Sequence, residues 1–327
     1  MDILSSPIDA IGRLLALELR DLDRLIRQRL HSDVALIRSV AEYIISSGGK
    51  RLRPVLVLLA SGACGYRGDS RIELAAVVEF IHTATLLHDD VVDESELRRG
   101  RNTANTEFGN AASVLVGDFL YSRAFQMMLV ANDMRVMSVL ASATNTIAEG
   151  EVLQLMNTHN ADVSEEQYLE VIRRKTAALF EAAARLGAIV AGASSEVEDG
   201  LAFYGVHLGT AFQLIDDSLD YMGDTNTLGK NVGDDLREGK VTLPLIYLLR
   251  SGSEAQKSLV RAALLGDVEG NLPRVCEAIV DSGALDYTRV VAEAEAKTAR
   301  AAIACLAESE FKHSLLELSR FAVDRVQ

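Results

Sequence analysis

The sequence carries one costly pattern twice. At Asp89-Asp90-Val91-Val92-Asp93, three acids at positions i, i+1 and i+4 interrupt an apolar run that begins at Thr85-Leu86-Leu87. The same D-D-x-x-D spacing returns in Phe212-Gln213-Leu214-Ile215-Asp216-Asp217-Ser218-Leu219-Asp220-Tyr221. On a helix, residues i and i+4 share a face and i+1 lies beside them, so each triplet crowds its carboxylates into one arc of about 100°. Burying unpaired carboxylates is expensive, and like-charged neighbours raise one another's pKa. A chain that does this twice needs cations among its acids, and oxygen-only ligands suit Mg²⁺. One copy among 47 acidic residues could be a solvated helix face. Two copies, each flanked by Leu, Ile, Val or Phe instead of other charges, argue against that. Two such clusters facing one another across a cavity would hold several Mg²⁺ ions. Those ions would in turn bind a ligand rich in negative oxygen, for which a diphosphate is the obvious candidate.

The hydrophobic spacing elsewhere is helical. It predicts helices over 8–31, 33–46, 70–97, 111–131, 134–157, 165–192 and 197–222, then over 254–266, 273–282, 285–307 and 311–325. The stretch from Gly223 to Gly239, with Lys230 and Asp235 and leading into Lys240, is the longest polar interruption and reads as a loop that could close over the second acidic cluster. With four prolines, 49% hydrophobic residues and no linker-like segment, the chain is expected to form a single all-α domain spanning 1–327.

A net charge of −14 argues against nucleic acid or an anionic membrane as a general partner. Cys64, Cys276 and Cys305 are widely spaced and form no C-x-x-C pair, which fits a reducing cytoplasm and supports neither a disulfide framework nor a zinc site. The N-terminus lacks the pattern of a signal peptide and no uninterrupted apolar run reaches membrane-spanning length, so a soluble, non-integral protein is expected. Against this acidic background, Lys50-Arg51-Leu52-Arg53-Pro54 stands out. Gly48-Gly49 ends the preceding helix and Pro54 suits the first turn of the next. The cations then gather at a helix N-terminus, where free backbone N–H groups and side-chain charge together make a phosphate site rather than a merely solvated turn. His82 lies two turns before Asp89 on nearly the same face, although a lone His on an apolar helix is more often a core residue. Arg98 and Arg99 follow the first triplet closely enough to reach a diphosphate held there.

Taken in order, Gly48-Gly49-Lys50-Arg51-Leu52-Arg53-Pro54, the first triplet with Arg98-Arg99-Gly100, Lys175-Thr176, Gln213 with the second triplet, and Gly229-Lys230-x-x-Gly233-x-Asp235-Leu236-x-x-Gly239-Lys240 resemble the trans-isoprenyl diphosphate synthases over nearly the whole chain. Thr103-Ala104-Asn105, Gly117-Asp118-Phe119 and the run Glu149 to Gln154 resemble the long-chain members. The two-residue gap within the first motif agrees with that. The resemblance implies a homodimer of helix-bundle subunits, each with the two acidic motifs on facing helices around a central cavity. It implies about three Mg²⁺ bridging Asp89, Asp93 and Asp216 to the allylic diphosphate, with Asp90, Asp217 and Asp220 partly ligating and partly supporting. Arg98, Lys175, Lys230 and Lys240 would contact the same diphosphate, and Lys50, Arg53, His82 and Arg99 would hold isopentenyl diphosphate. The product would be about C40, for the side chain of a quinone such as ubiquinone.

The chemistry accounts for these residue types. Breaking an allylic C–O bond leaves extra charge on the diphosphate, which Mg²⁺, Lys and Arg stabilise. The carbocation must meet an alkene held at close range. Thr176 and Gln213 offer neutral dipoles near that cation, and the released diphosphate is a reasonable acceptor for the last proton. A class I terpene cyclase also uses a D-D-x-x-D helix but needs no second diphosphate site. A non-catalytic subunit of a heteromeric synthase should have lost one of the motifs. Shorter or longer products remain alternatives. Product length is expected to depend on Ala84 and Thr85, small residues ~6 to 7.5 Å below Asp89 along the helix. Met127, Met128 and Met137 are candidates for the floor, though a methionine stripe is as readily ordinary core.

Overall fold

The computed structural model describes residues 7–46, 48–222, 232–266 and 268–325. The N-terminal amphipathic segment folds as α1 (Pro7–Leu14) and α2 (Ala16–Arg29), broken at Leu15, followed by α3 (Ala35–Ser46) and the almost wholly buried α4 (Leu52–Ala63). Then come α5 (Ser70–Val92), a hairpin of β1 (Leu97–Arg98) and β2 (Arg101–Asn102), and α6 (Ala104–Phe108). Helices α7 (Asn110–Met128) and α8 (Met134–Asn157) are joined by the 3₁₀ turn Leu129–Ala131. A capping box between Ser164 and Gln167 starts α9 (Glu165–Ile172), which runs through a π-helical turn, Arg173–Ala177, into α10 (Ala178–Val190). After α11 (Ser195–Met222) the described chain continues with α12 (Asp234–Arg237), α13 (Leu243–Ser251), α14 (Glu254–Leu264), α15 (Val268–Asp281), α16 (Ala284–Ala302) and α17 (Glu310–Asp324).

The all-α expectation holds, with the hairpin as the only β-structure among the described residues. Several boundaries differ from the expected ones. Helix α5 stops at Val92, not 97, because three acids gather at its C-terminus, where the helix dipole is negative and further acidic turns are disfavoured. Arg98 and Arg99 therefore sit on the hairpin, with Leu97 paired to Asn102. Helix α15 begins at Val268, five residues ahead of Pro273, and α6 and α13 lie where no helix was expected.

Two apolar clusters meet along α11. Leu201, Tyr204 and Leu208 belong to the larger one with α4, α5, α7, α8 and α10, whereas Leu214, Ile215 and Tyr221 belong to the smaller one with α13 to α16. The second acidic triplet occupies the part of α11 that crosses into the smaller cluster. Its position is thereby fixed from both sides.

Candidate active site

Both triplets fall at the C-terminal ends of their helices. Asp89 and Asp90 close α5 and Asp93 caps it, while Asp216, Asp217 and Asp220 lie in the last two turns of α11. A helix C-terminus carries roughly half a negative charge, so the backbone adds to the repulsion among the carboxylates. Each acid is answered individually. Asp89 Oδ2 lies 3.8 Å from Lys175 Nζ, Asp93 Oδ2 accepts from Lys240 Nζ at 2.7 Å, and Asp216 Oδ1 accepts from Arg325 Nη1 at 2.7 Å. These three acids keep part of their surface open.

The other three are turned inward. Asp90 is 1% exposed and clamped by Arg98 through Nη2 at 2.6 Å and Nε at 2.8 Å. Asp217 accepts from the Tyr168 hydroxyl at 2.6 Å and from Gln213 Nε2 at 2.7 Å. Asp220 accepts the backbone N–H of Asp235 at 3.1 Å. Burial pushes the Asp90 carboxyl up against the pull of Arg98, and its Oδ2 is buried without a hydrogen bond. Burial works against the Lys240 ammonium too, but Asp93, Glu238 and Asp235 outweigh it and hold its pKa above the usual lysine range. The Lys240 N–H also donates to the Asp235 carbonyl at 2.8 Å. Lys240 thus ties the first triplet to the segment capping the second.

Lys175 and Thr176 reach the site from the π-helical turn. The turn is seated between two glycines: a Cβ on Gly150 of α8 would come within 2.6 Å of the Lys175 backbone nitrogen, and one on Gly209 of α11 within 2.7 Å of Ala177 Cα. Lys175 Nζ also donates to Glu151 at 2.6 Å. Burial, opposed by Lys175, raises the Glu151 carboxyl to about 7. Thr176 Oγ1 donates to Gln213 Oε1 at 3.0 Å.

The basic set converges on α5 from the other side. Arg53 Nη1 lies 3.1 Å from His82 Nε2 and its guanidinium 4.5 Å from the Phe180 ring. A guanidinium only donates, so His82 Nε2 is the acceptor and the ring proton is on Nδ1. Burial, with Arg53, Arg99 and Arg98 nearby, holds the His82 pKa well below the ordinary range, and burial lowers Arg53 to about 10. Lys50 is lowered by burial and by Arg325, and its ammonium sits 4.9 Å over Phe321. Gly49 has φ 142°, and a Cβ there would meet Arg99 Nη1 at 2.5 Å. Only glycine lets the Lys50 loop and Arg99 approach this closely.

The structure therefore gathers the two triplets with Lys175, Thr176, Gln213 and Lys240, and sets Lys50, Arg53, His82 and Arg99 beside them. Lys230 lies outside the described residues, as does much of the expected loop, whose described part contains α12. Ala84 is fully buried, and Thr85 Oγ1 donates to the His82 carbonyl at 2.8 Å. Met127 and Met128 are buried in the same apolar cluster and Met137 packs at its edge. Three residues were not singled out: Tyr168, Arg325 and Glu79, the last partly buried beside Arg51, Arg53 and Arg99; Glu151 entered only as part of the run Glu149 to Gln154. Tyr168 lies two turns before Lys175, so its face was readable. Arg325 carries no local signal.

The polyprenyl synthetase family model matches residues 34–279. Octaprenyl diphosphate synthase of Escherichia coli (strain K12) is 51% identical over 319 residues, covering 97% of this chain and 99% of the relative. The geranyl-diphosphate-specific all-trans-nonaprenyl-diphosphate synthase of Rhodobacter capsulatus is 45% identical over 307 residues, 94% of each chain. The crystal structure of a polyprenyl synthase from Caulobacter crescentus CB15, complexed with calcium and isoprenyl diphosphate, superposes with a TM-score of 0.95 at 47% identity, covering 99% of both chains. The chain belongs to the polyprenyl synthetase family. It is a prenyltransferase of a metal-dependent family that elongates allylic diphosphates with isopentenyl diphosphate.

Proposed function

We propose that the chain is a single-domain, long-chain all-trans polyprenyl diphosphate synthase that extends a primer such as farnesyl diphosphate to octaprenyl diphosphate, for a quinone side chain. The observation that carries the site assignment is the Lys240 link: one ammonium holds Asp93 of the first triplet while its backbone is fixed to Asp235, whose N–H caps Asp220 of the second. Opposed acidic helix ends so joined suit a ligand that brings both cations and negative oxygen. The long product is supported by relatives named for octaprenyl and nonaprenyl products.

The donor set fits a hard divalent cation: every group is a carboxylate oxygen, and three of the acids face open space. Among the described residues no three acids converge on one point, so a bound ion would need oxygens from the diphosphate as well. Asp89, Asp93 and Asp216 would hold about three Mg²⁺, with Asp90, Asp217 and Asp220 sharing or backing them. When bound, Mg²⁺ stabilises the charge that gathers on the leaving diphosphate. Arg98, Lys175, Lys230 and Lys240 bind that diphosphate, and Lys50, Arg53, His82 and Arg99 hold isopentenyl diphosphate. Thr176 and Gln213 face the allylic carbon with neutral dipoles. As the C–O bond breaks, the new C–C bond forms, and the proton lost from the isopentenyl unit passes to the released diphosphate.

The working unit is a homodimer in a reducing cytoplasm, not an integral membrane protein. Among the described residues one stretch, Asn110–Ala131, is long and apolar enough to cross a membrane by length and composition. Leu115 of α7, Leu129 of the 3₁₀ turn and Met134, Leu155 and Met156 of α8 are exposed apolar side chains. A second copy packed over them would cover this apolar surface. Incubation with farnesyl diphosphate, labelled isopentenyl diphosphate and Mg²⁺, followed by sizing of the dephosphorylated products, tests the activity: no condensation sinks the proposal, and a geranylgeranyl limit sinks its long-chain part. Sedimentation of Leu115→Lys/Leu155→Lys tests the dimer, which it should dissociate.

A further inference from the structure

In the second triplet Asp217 accepts from two neutral side chains, and this has a consequence for the polarity of the site. Tyr168, Thr176, Gln213 and Asp217 line one cavity together with Lys175 and Lys240. Within it runs a continuous chain of hydrogen bonds. The Tyr168 hydroxyl donates to Asp217 Oδ2 at 2.6 Å, Gln213 Nε2 donates to Asp217 Oδ1 at 2.7 Å, and Thr176 Oγ1 donates to Gln213 Oε1 at 3.0 Å. An ionised carboxylate only accepts, so it dictates which end of the Gln213 amide faces it. The NH₂ group must point to Asp217 and the carbonyl oxygen to Thr176. The single Thr176 proton is then spent on that oxygen, leaving the threonine lone pairs for other neighbours. All the protons run towards Asp217, and the oxygens are turned away from it.

We propose that Tyr168 is a positioning residue for the prenyl transfer: by anchoring Asp217 it locks the Gln213 amide and the Thr176 hydroxyl with their negative ends towards the allylic cation. The inference rests on the function proposed above, which places Gln213 and Thr176 beside that cation. Oriented dipoles aimed at a developing charge, in a site that excludes water, need no reorganisation as the C–O bond breaks. Tyr168 suits the task. It is 5% exposed and its ring packs in the smaller apolar cluster, which fixes the direction of its hydroxyl.

The test is steady-state kinetics of Tyr168→Phe, which keeps the ring and removes the donor. Loss of a partner that orients functional groups typically costs about 10–100-fold. The expected result is a fall in kcat of about tenfold, at the lower end of that range, with the KM of both diphosphates and the half-activating Mg²⁺ concentration within about twofold of wild type. An unchanged kcat in the Phe variant overturns the inference. So does a raised Mg²⁺ requirement, which would make Tyr168 a support for a metal ligand instead. If the Phe variant does not fold by circular dichroism, Tyr168→Leu, which also removes the donor and keeps an apolar side chain in the cluster, takes its place with the same outcomes. Absence of condensation in the wild-type protein refutes the underlying function, whereas wild-type turnover with an unaffected variant refutes only the positioning role.

Discussion

The two acidic triplets share a spelling and differ in how their middle acid is held. In the first, Asp90 is clamped by the full charge of Arg98, which comes from a hairpin only a few residues further along. In the second, Asp217 is held by the neutral donors of Tyr168 and Gln213, the former 49 residues away in sequence. The outer acids differ as well: Asp89 and Asp93 meet lysines, while Asp216 meets Arg325, whose guanidinium also stacks 3.8 Å from the Phe212 ring and donates to the Phe212 carbonyl. Every acid of the first triplet is thus set against a cationic side chain. The second doubles as an anchor for neutral dipoles. One sequence pattern can serve two electrostatic purposes because its neighbours, not its spacing, decide what each carboxylate does.

The largest expected effect treats the triplets alike. Asp89→Ala and Asp216→Ala should each lower turnover by orders of magnitude with the fold intact, because each removes an open oxygen ligand. Near wild-type product formation by either purified variant would end the shared-metal account. The middle acid of the first triplet should show its ion pair directly. Asp90→Asn leaves the Arg98 guanidinium facing a neutral amide, and loss of a charged hydrogen-bond partner costs about 1.5–3 kcal/mol. The thermal unfolding midpoint should fall accordingly; an unchanged midpoint would remove the ion-pair account of Asp90.

A smaller effect sharpens the division between the substrates. Lys50→Ala or Arg53→Ala should raise the KM for isopentenyl diphosphate severalfold and the allylic KM less, since a lost ground-state contact appears in the KM of the substrate that made it. Equal rises would merge the two basic sets. The smallest effects on rate, and the most visible on product, concern α5 below its triplet. Thr85→Phe or Ala84→Phe should shorten the product towards farnesyl or geranylgeranyl length, and at least one of Met127→Ala, Met128→Ala and Met137→Ala should lengthen it. Ala84 is fully buried, so its Phe variant also carries an overpacking cost of about 1–3 kcal/mol, and Thr85→Phe is the cleaner probe. Unchanged chromatograms from both Phe variants would remove α5 as the wall of the chain.

Much of this was legible in the chain before it folded. The acid spacing, the glycine pair ahead of Lys50-Arg51-Leu52-Arg53 and the helical period are local patterns, each read over a few turns. The end of α5 was misplaced because hydrophobic period says where a helix could continue, whereas capping and the dipole decide where it stops. Tyr168 was passed over on a helix read for Lys175 and Thr176, and Glu151 was seen only as part of a run. What marks them out is contact with Asp217 and Lys175, each at 2.6 Å, between segments far apart in sequence.

The sequence by itself determined that the chain is helical, that six acids recur as two equally spaced triplets in apolar helices, and that Gly48-Gly49 separates two helices. Those properties follow from spacing and residue type, which survive without a partner. Tertiary structure decided which carboxylates stay open and which turn inward, that a π-helical turn seated on Gly150 and Gly209 delivers Lys175 and Thr176, and that Arg325 comes back to Asp216 from the other end of the chain. The reason is physical: charge and hydrogen bonding act at about 3 Å, and which atoms come that close is set by helix packing, on which local periodicity is silent.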